Sequence, residues 1–385
     1  MDVVIEAQHQ NEIGEMSSEA FKECQKSMGF NANELGLVAD EDLRNEFNVS
    51  EVLRTDWVHD ALQSGMLSNE CTLFFIACST VGLHAGIWER YFSANWSYPA
   101  HRRLKTGDLH ELFNKFYTNK EEKDKKFKCQ ASQLLSVFGM VRHLIESQLD
   151  MYGHLQPQCA SFKSACKLLD LILDSKRSLV AVDLLHFVES YKLNWVEHME
   201  LRKAAYGDDK LLPKDHAMVH VGPQIRRDGF PLDMFVIERQ NLRVKGVAEP
   251  VDNGRRYEMS VLSSLLTQQQ NALSELPTLA SGLRGPRGPM SGFQGVELAK
   301  AIELEGSHFA KGDIVCIGSV NCGFVAACAE EGSAFYIIVQ TMVCVVDYGH
   351  SGRYRVTDHL QVVAARDVRE TTAWYQEGEF WVVVR

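Results

Sequence analysis

Hydrophobic and polar positions follow two different rhythms along this chain, and a run rich in glycine and proline separates them. Within 108–118, 130–152, 158–176 and 178–206, apolar residues recur every three or four positions, the period of a helix that buries one face. In the second segment Leu134, Leu135, Phe138, Val141, Leu144, Ile145 and Leu149 line up as one stripe. The pattern predicts a further long helix over 256–276. Beyond residue 295 the rhythm shortens. Segments 313–318, 323–328, 334–346, 354–365 and 380–384 are rich in Val, Ile and aromatic residues and are broken by Gly, Asn, Asp or Glu, which predicts short strands. Such strands, packed closely in sequence, fit a small antiparallel barrel or a curled sheet. The break itself, 281–295, holds five Gly and two Pro in fifteen residues, a composition that interrupts helices and central strands alike. The expected architecture is α+β: a mostly helical region over 1–280, a linker over 281–295, and a small β-barrel-like domain over 296–385.

Composition narrows the class. At 45% hydrophobic and 24% charged the chain matches folded globular proteins, which excludes a disordered or fibrous one. Its 385 residues suggest two or three domains. The opening residues lack a basic stretch followed by an apolar one, so no signal peptide is expected. The uncharged segment 72–88 is too short and too polar for a membrane span. A soluble, intracellular protein without a membrane partner is the expectation.

Charge is unevenly placed. Residues 1–60 carry four Lys/Arg against fourteen Asp/Glu, and residues 296–385 carry seven against twelve. Duplex-binding domains draw most of their affinity from neutralised phosphates and show a strong basic excess. This chain has none, which argues against tight autonomous DNA binding and leaves room only for a local patch in the middle. The basic run 119–128, NKEEKDKKFK, mixes signs and reads as a solvated loop. The ten cysteines form no CxxC pair. Cys316, Cys322 and Cys328 recur at an even spacing that puts strand side chains on one face, so buried, reduced thiols are expected rather than a metal site.

Two segments could carry chemistry. In TDWVHDALQSGM, Asp56, His59 and Asp60 fall on one helical face, while Asp56 also suits an N-cap before the apolar stripe Trp57, Ala61 and Leu62. The second segment runs from Leu212 to Glu249. There His216 and His220 stand four apart, a spacing that can hold a metal from one turn, without a third ligand at a conventional offset. Glu238 is followed by Arg239, Arg243 and Lys245, which read either as a salt-bridged surface or as a metal-holding acid beside a phosphate-contacting face. No G-x-S-x-G, phosphate-loop or dinucleotide fingerprint is present.

In order, these motifs are D-x-x-H-D-x-x-x-x-G at 56–65, P-K-x-H-x-x-x-H at 213–220 and F-x-x-E-R at 235–239. They resemble those of CACTA-type cut-and-paste transposases, and the approach GFNANELGLV at 29–38 is similar to the family's lead-in. The resemblance covers about 28–260, and the β-rich tail looks like the small domain that ends some of these polyproteins. It implies an RNase H-like core interrupted by a helical insertion at about 108–210. It further implies DNA strand cleavage and transfer with Mg or Mn, Asp56 and Glu238 as the second and third metal-holding acids, and His59 as an orienting group. Arg239, Arg243 and Lys245 would contact DNA, and the protein would be nuclear. The family's first acid belongs on a strand well before the D-x-x-H motif. Here the carboxylates ahead of Asp56 sit mostly in polar stretches such as 39–46, so the expectation is a truncated or repurposed remnant without catalysis. Two alternatives stand beside it. One is a non-enzymatic scaffold whose 296–385 domain reads a protein partner, and the other is a metal hydrolase built on His59, His216 and His220.

Overall fold

The computed structural model describes residues 7, 9–22, 55–93, 96–98, 113, 115–117, 125–150, 153–177, 184–207, 213–229, 231, 247, 257–275, 281–289, 295–304, 307–318, 321–371 and 373–385. The chain divides into two compact units, one made of Met1–Glu70 with Lys167–Met234 and the other of Cys71–Cys166 with Phe235–Arg385. The main helices are α1 (Met66–Thr80), α2 (Ala85–Ser93), α3 (Ala131–Leu144), α4 (Gln156–Arg177), α5 (Leu184–Tyr206), α6 (Pro213–Met218), α7 (Val221–Asp228) and α8 (Tyr257–Glu275). Among the described residues none is long and apolar enough to cross a membrane.

In the first unit, a π-helical turn at Val58–Leu62 buries Trp57, Val58, Ala61 and Leu62. Helix α5 presents Phe187, Tyr191, Asn194, His198 and Arg202 to the interior at three- and four-residue steps, so its buried stripe turns polar toward its C-terminal end. Tyr191 fixes the neighbouring helices. Its hydroxyl donates to the Met218 carbonyl at 2.8 Å, and its ring lies where a Cβ on Gly222 would come within 2.9 Å. Helix α7 ends on Gly229 at φ +79°, the left-handed cap that glycine adopts without a steric penalty.

The second unit begins with aromatic packing. Phe74 and Phe75 of α1 gather Trp88 of α2 with Phe113, Phe116, Phe127 and Phe162, at centroid separations from 4.8 to 6.2 Å. Phe138 of α3 stacks on Phe162 of α4 at 4.5 Å. Helix α3 opens on a reciprocal pair in which Gln130 and Gln133 satisfy each other's backbone N–H, and it passes at Leu144 into a π-helical turn, Ile145–Leu149. The stripe expected over 130–152 is therefore helical from 131 through 150, with a change of helix type inside it, and 151–152 lie outside the described residues.

Among the described residues twelve strands follow: β1 (Gly282–Arg284), β2 (Gly288–Pro289), β3 (Val296–Ala299), β4 (Ala301–Leu304), β5 (Ser307–Ala310), β6 (Ile314–Ile317), β7 (Asn321–Glu331), β8 (Ala334–Asp347), β9 (Ser351–Ala364), β10 (Val368–Glu370), β11 (Ala373–Glu377) and β12 (Phe380–Val384). Strands β1, β4 and β5 form a small antiparallel sheet, and the other nine form a second with the path β10-β6-β7-β8-β9-β12-β11. Residues 281–295 are not wholly linker, because β1 pairs with β4 and β2 with β3.

The larger sheet corrects the expected barrel: it is curled but open. Its edge strands, β10 and β11, are consecutive in sequence, so their ends can lie no more than about 11 Å apart. The two do not pair. Thr371, between them, instead donates its hydroxyl to the Ile314 carbonyl at 2.9 Å. Strand β7 also changes neighbours along its length, pairing β6 over 321–324 and β3 over 328–331, which splits that side of the sheet. Gly323 sits at a close approach, since a Cβ there would fall 2.3 Å from Val339 Cγ1. Apart from an isolated bridge at Ser97, the described residues before Gly282 contain no strand, so the sheet of an RNase H-like core is not among them.

Candidate functional site

The D-x-x-H and P-K-x-H segments meet in the first unit. Asp56 precedes the π-helical turn and accepts the Val58 N–H on Oδ1 at 3.1 Å, while its Oδ2 pairs with His59 Nδ1. The expected cap is therefore present, on a π-helical turn instead of an α-helix, and the stripe Trp57, Ala61 and Leu62 is buried as the pattern requires. Gln224 of α7 clamps the entry to the turn. Its Oε1 accepts the Thr55 N–H at 2.6 Å and its Nε2 donates to the Thr55 carbonyl at 3.0 Å.

Lys214 closes the other end of the turn. From the first turn of α6 its ammonium donates to the carbonyls of His59 at 3.1 Å and Gln63 at 2.9 Å, across 155 and 151 residues of chain. Both carbonyls lie toward the C-terminal side of the turn, where a cation is favourable. Gly65 lets the chain leave the turn, because a Cβ there would lie 2.1 Å from the Asp60 carbonyl oxygen. The Asp60 carboxyl is pushed up from its ordinary range by partial burial, with Asp56 adding to the rise and Lys214 and His59 opposing it.

Buried charge holds α6, and with it Lys214, in place. Arg202 of α5 donates from Nη1 to Asp215 at 2.8 Å and lies 3.8 Å from Glu70, with all three side chains at most 3% exposed. Tyr206 donates to the same Glu70 at 3.4 Å. None of these long-range partners leaves a periodic trace in the sequence: Lys214 entered only as the lysine of the P-K-x-H motif, without a role, and Gln224, Arg202 and Glu70 were not singled out.

His216 lies within α6 and His220 in the exposed turn before α7, so a helix break separates the expected i, i+4 pair. Glu238, Arg239, Arg243 and Lys245 lie outside the described residues. Among the described residues no three His, Cys, Asp or Glu side chains converge as metal ligands. Both Asp56 oxygens are engaged by protein donors, and an ammonium already sits against the turn. The described part of the site fits a protein cation better than Mg or Mn, so no chemical step is assigned to a metal.

A second polar cluster lies in the other unit. His143 of α3 and Ser351 of β9 are 5% and 1% exposed and share a hydrogen bond of 2.8 Å between Nδ1 and Oγ. Burial pulls His143 down to about 4, against the opposing charge of Glu146, so the ring is neutral at pH 7. Glu146 contacts Arg142 at 3.3 Å and His350 at 2.9 Å. Ser351 is sealed from substrate, so the histidine–serine pair anchors the start of β9 to α3 and forms no nucleophile site. A groove of about 640 Å³ at β2 and β3 is lined by Arg287, Glu297 and Glu330, and Arg287 pairs with both glutamates. No family model matches the chain, and no characterised protein matches it in sequence.

Proposed function

We propose that this protein derives from a cut-and-paste DNA transposase of the CACTA type, keeping the packing of its D-x-x-H and P-K-x-H segments without strand transfer. The observation that carries the reading is Lys214. A residue of one motif caps the turn that displays the acid of the other, 155 positions away, which gives the two motifs a shared structural reason to occur together. Gly65, the closing glycine of the first motif, has an equally specific role beneath Asp60. Catalysis is lost in this reading because both Asp56 oxygens are committed to protein donors. What remains is DNA contact through Arg239, Arg243 and Lys245, in the nucleus.

The test uses the purified full chain with supercoiled plasmid in Mg or Mn, alongside duplex-DNA binding by fluorescence anisotropy. The reading expects no nicking and a salt-sensitive binding that weakens several-fold in Arg239→Ala/Arg243→Ala/Lys245→Ala. Metal-dependent nicking abolished by Asp56→Ala would show an active nuclease instead. Loss of both activities favours the second reading, a non-enzymatic scaffold with 296–385 as its reader. That reading draws on the open sheet, which leaves Val343, Val345, Leu360 and Val362 of β8 and β9 at least half exposed.

A further inference from the structure

Cys316 of β6 and Cys322 of β7 stand directly opposite each other in the register of the hairpin that joins the two strands. Their sulfurs are 3.5 Å apart, and the residues are 4% and 0% exposed. Opposed residues of an antiparallel ladder have Cα atoms about 4.5–5.5 Å apart. That separation lies inside the roughly 4.4–6.8 Å window that a disulfide accepts. Closing the sulfur gap to about 2.05 Å requires side-chain rotation, not strand movement.

The surroundings distinguish the two thiols. Cys322 is pulled below the ordinary thiol range first by the hydrogen bond from Cys316, against burial, and then by the Tyr354 hydroxyl and the Arg385 guanidinium. The Cys316 thiol moves the other way, because it supplies that hydrogen bond and is buried. Cys328 lies further along β7 opposite Ile337, so its register partner is not a thiol, and burial pushes it up to about 12.

We propose that Cys316 and Cys322 are a redox-modification site, closing to a reversible disulfide under hydrogen peroxide or a related hydroperoxide. The Cys322 thiolate attacks one peroxide oxygen, the O–O bond breaks, and water leaves after protonation, giving a sulfenic acid on Cys322. Cys316 sulfur then attacks that sulfur and loses its proton, and the hydroxyl leaves as a second water. Two thiols are oxidised by two electrons and one peroxide is reduced to two waters. A dithiol such as dithiothreitol reverses the bond by exchange. Access comes from the sheet edge. On its other side Cys316 pairs in register with Arg369 of β10, an edge strand of three residues, and short edges open at small free-energy cost.

The test treats the reduced full chain with peroxide, alkylates the remaining thiols under denaturing conditions and maps the modified residues by fragmentation. Residues 312–353 contain no internal Lys or Arg, so trypsin releases Cys316, Cys322, Cys328 and Cys344 in one peptide. After peroxide, the peptide is expected to be alkylated on Cys328 and Cys344 only, with Cys316 and Cys322 linked, and dithiothreitol should restore full alkylation. Cys328→Ser should leave the link intact. Cys322→Ser should leave Cys316 alkylated, with circular dichroism confirming that the variant folds. The proposal is overturned if Cys316 and Cys322 stay alkylated while other thiols oxidise. It is overturned equally if Cys322 runs on to sulfinic acid without a link.

Discussion

Acidification should weaken the second unit through one side chain. His143 is 5% exposed, and its folded pKa lies at about 4 against an ordinary 6.5. The folded state therefore holds the ring neutral, while the unfolded chain takes up a proton as pH falls through 6.5. Stability from this group is complete above pH 6.5, falls as pH drops from 6.5 toward 4, and stops changing below that. The depression of roughly 2.5 units, at about 1.4 kcal/mol each, corresponds to about 3 kcal/mol across the window. His143→Gln keeps a hydrogen-bonding side chain toward Ser351 and removes the titration. Trp96, 6.0 Å from the His143 ring, supplies a local fluorescence signal for urea denaturation. Other groups titrate over the same range, so the informative quantity is wild type minus variant at each pH. That difference should shrink by about 3 kcal/mol between pH 7 and pH 4. A difference that stays flat would refute the buried neutral histidine and the anchoring of β9 to α3 through it.

Two further outcomes concern the first unit. Gly65→Ala puts a Cβ against the Asp60 carbonyl at 2.1 Å, contact with backbone that cannot rotate away, so a loss of about 1–3 kcal/mol is expected in chemical denaturation. An unchanged midpoint would show that the exit from the turn adapts freely. Arg202→Met leaves Asp215 and Glu70 buried without their shared cation, which should cost about 3–5 kcal/mol in chemical denaturation at pH 7. A variant as stable as wild type would mean that water reaches this network.

The periodicity of the chain made most of the second unit legible. The helices expected over 130–152, 158–176 and 256–276 appear as α3 with its π-helical turn, α4 and α8, and the strand segments after residue 312 appear as β6 to β9 and β12. The short strands β1 to β5 were not anticipated. Gly282 and Pro289 argue against regular structure locally, and only pairing with later strands overrides that preference. The candidate site was legible in part. Asp56 and His59 were recognisable from their spacing and Asp56 from its capping chemistry, whereas the hydrogen bonds that define their surroundings come from Lys214 and Gln224.

The sequence by itself determined the division into helical and β-rich parts, the buried faces of the main elements and the burial of Cys316, Cys322 and Cys328. All of these follow from short-range periodicity, which a chain carries whatever it packs against. Tertiary structure alone decided that the larger sheet stays open, since closure depends on whether β10 and β11 pair. It also decided that Lys214 caps the Asp56 turn and that Cys316 lies within reach of Cys322. Each of these is a meeting between positions whose separation in the chain has no fixed relation to their distance in space.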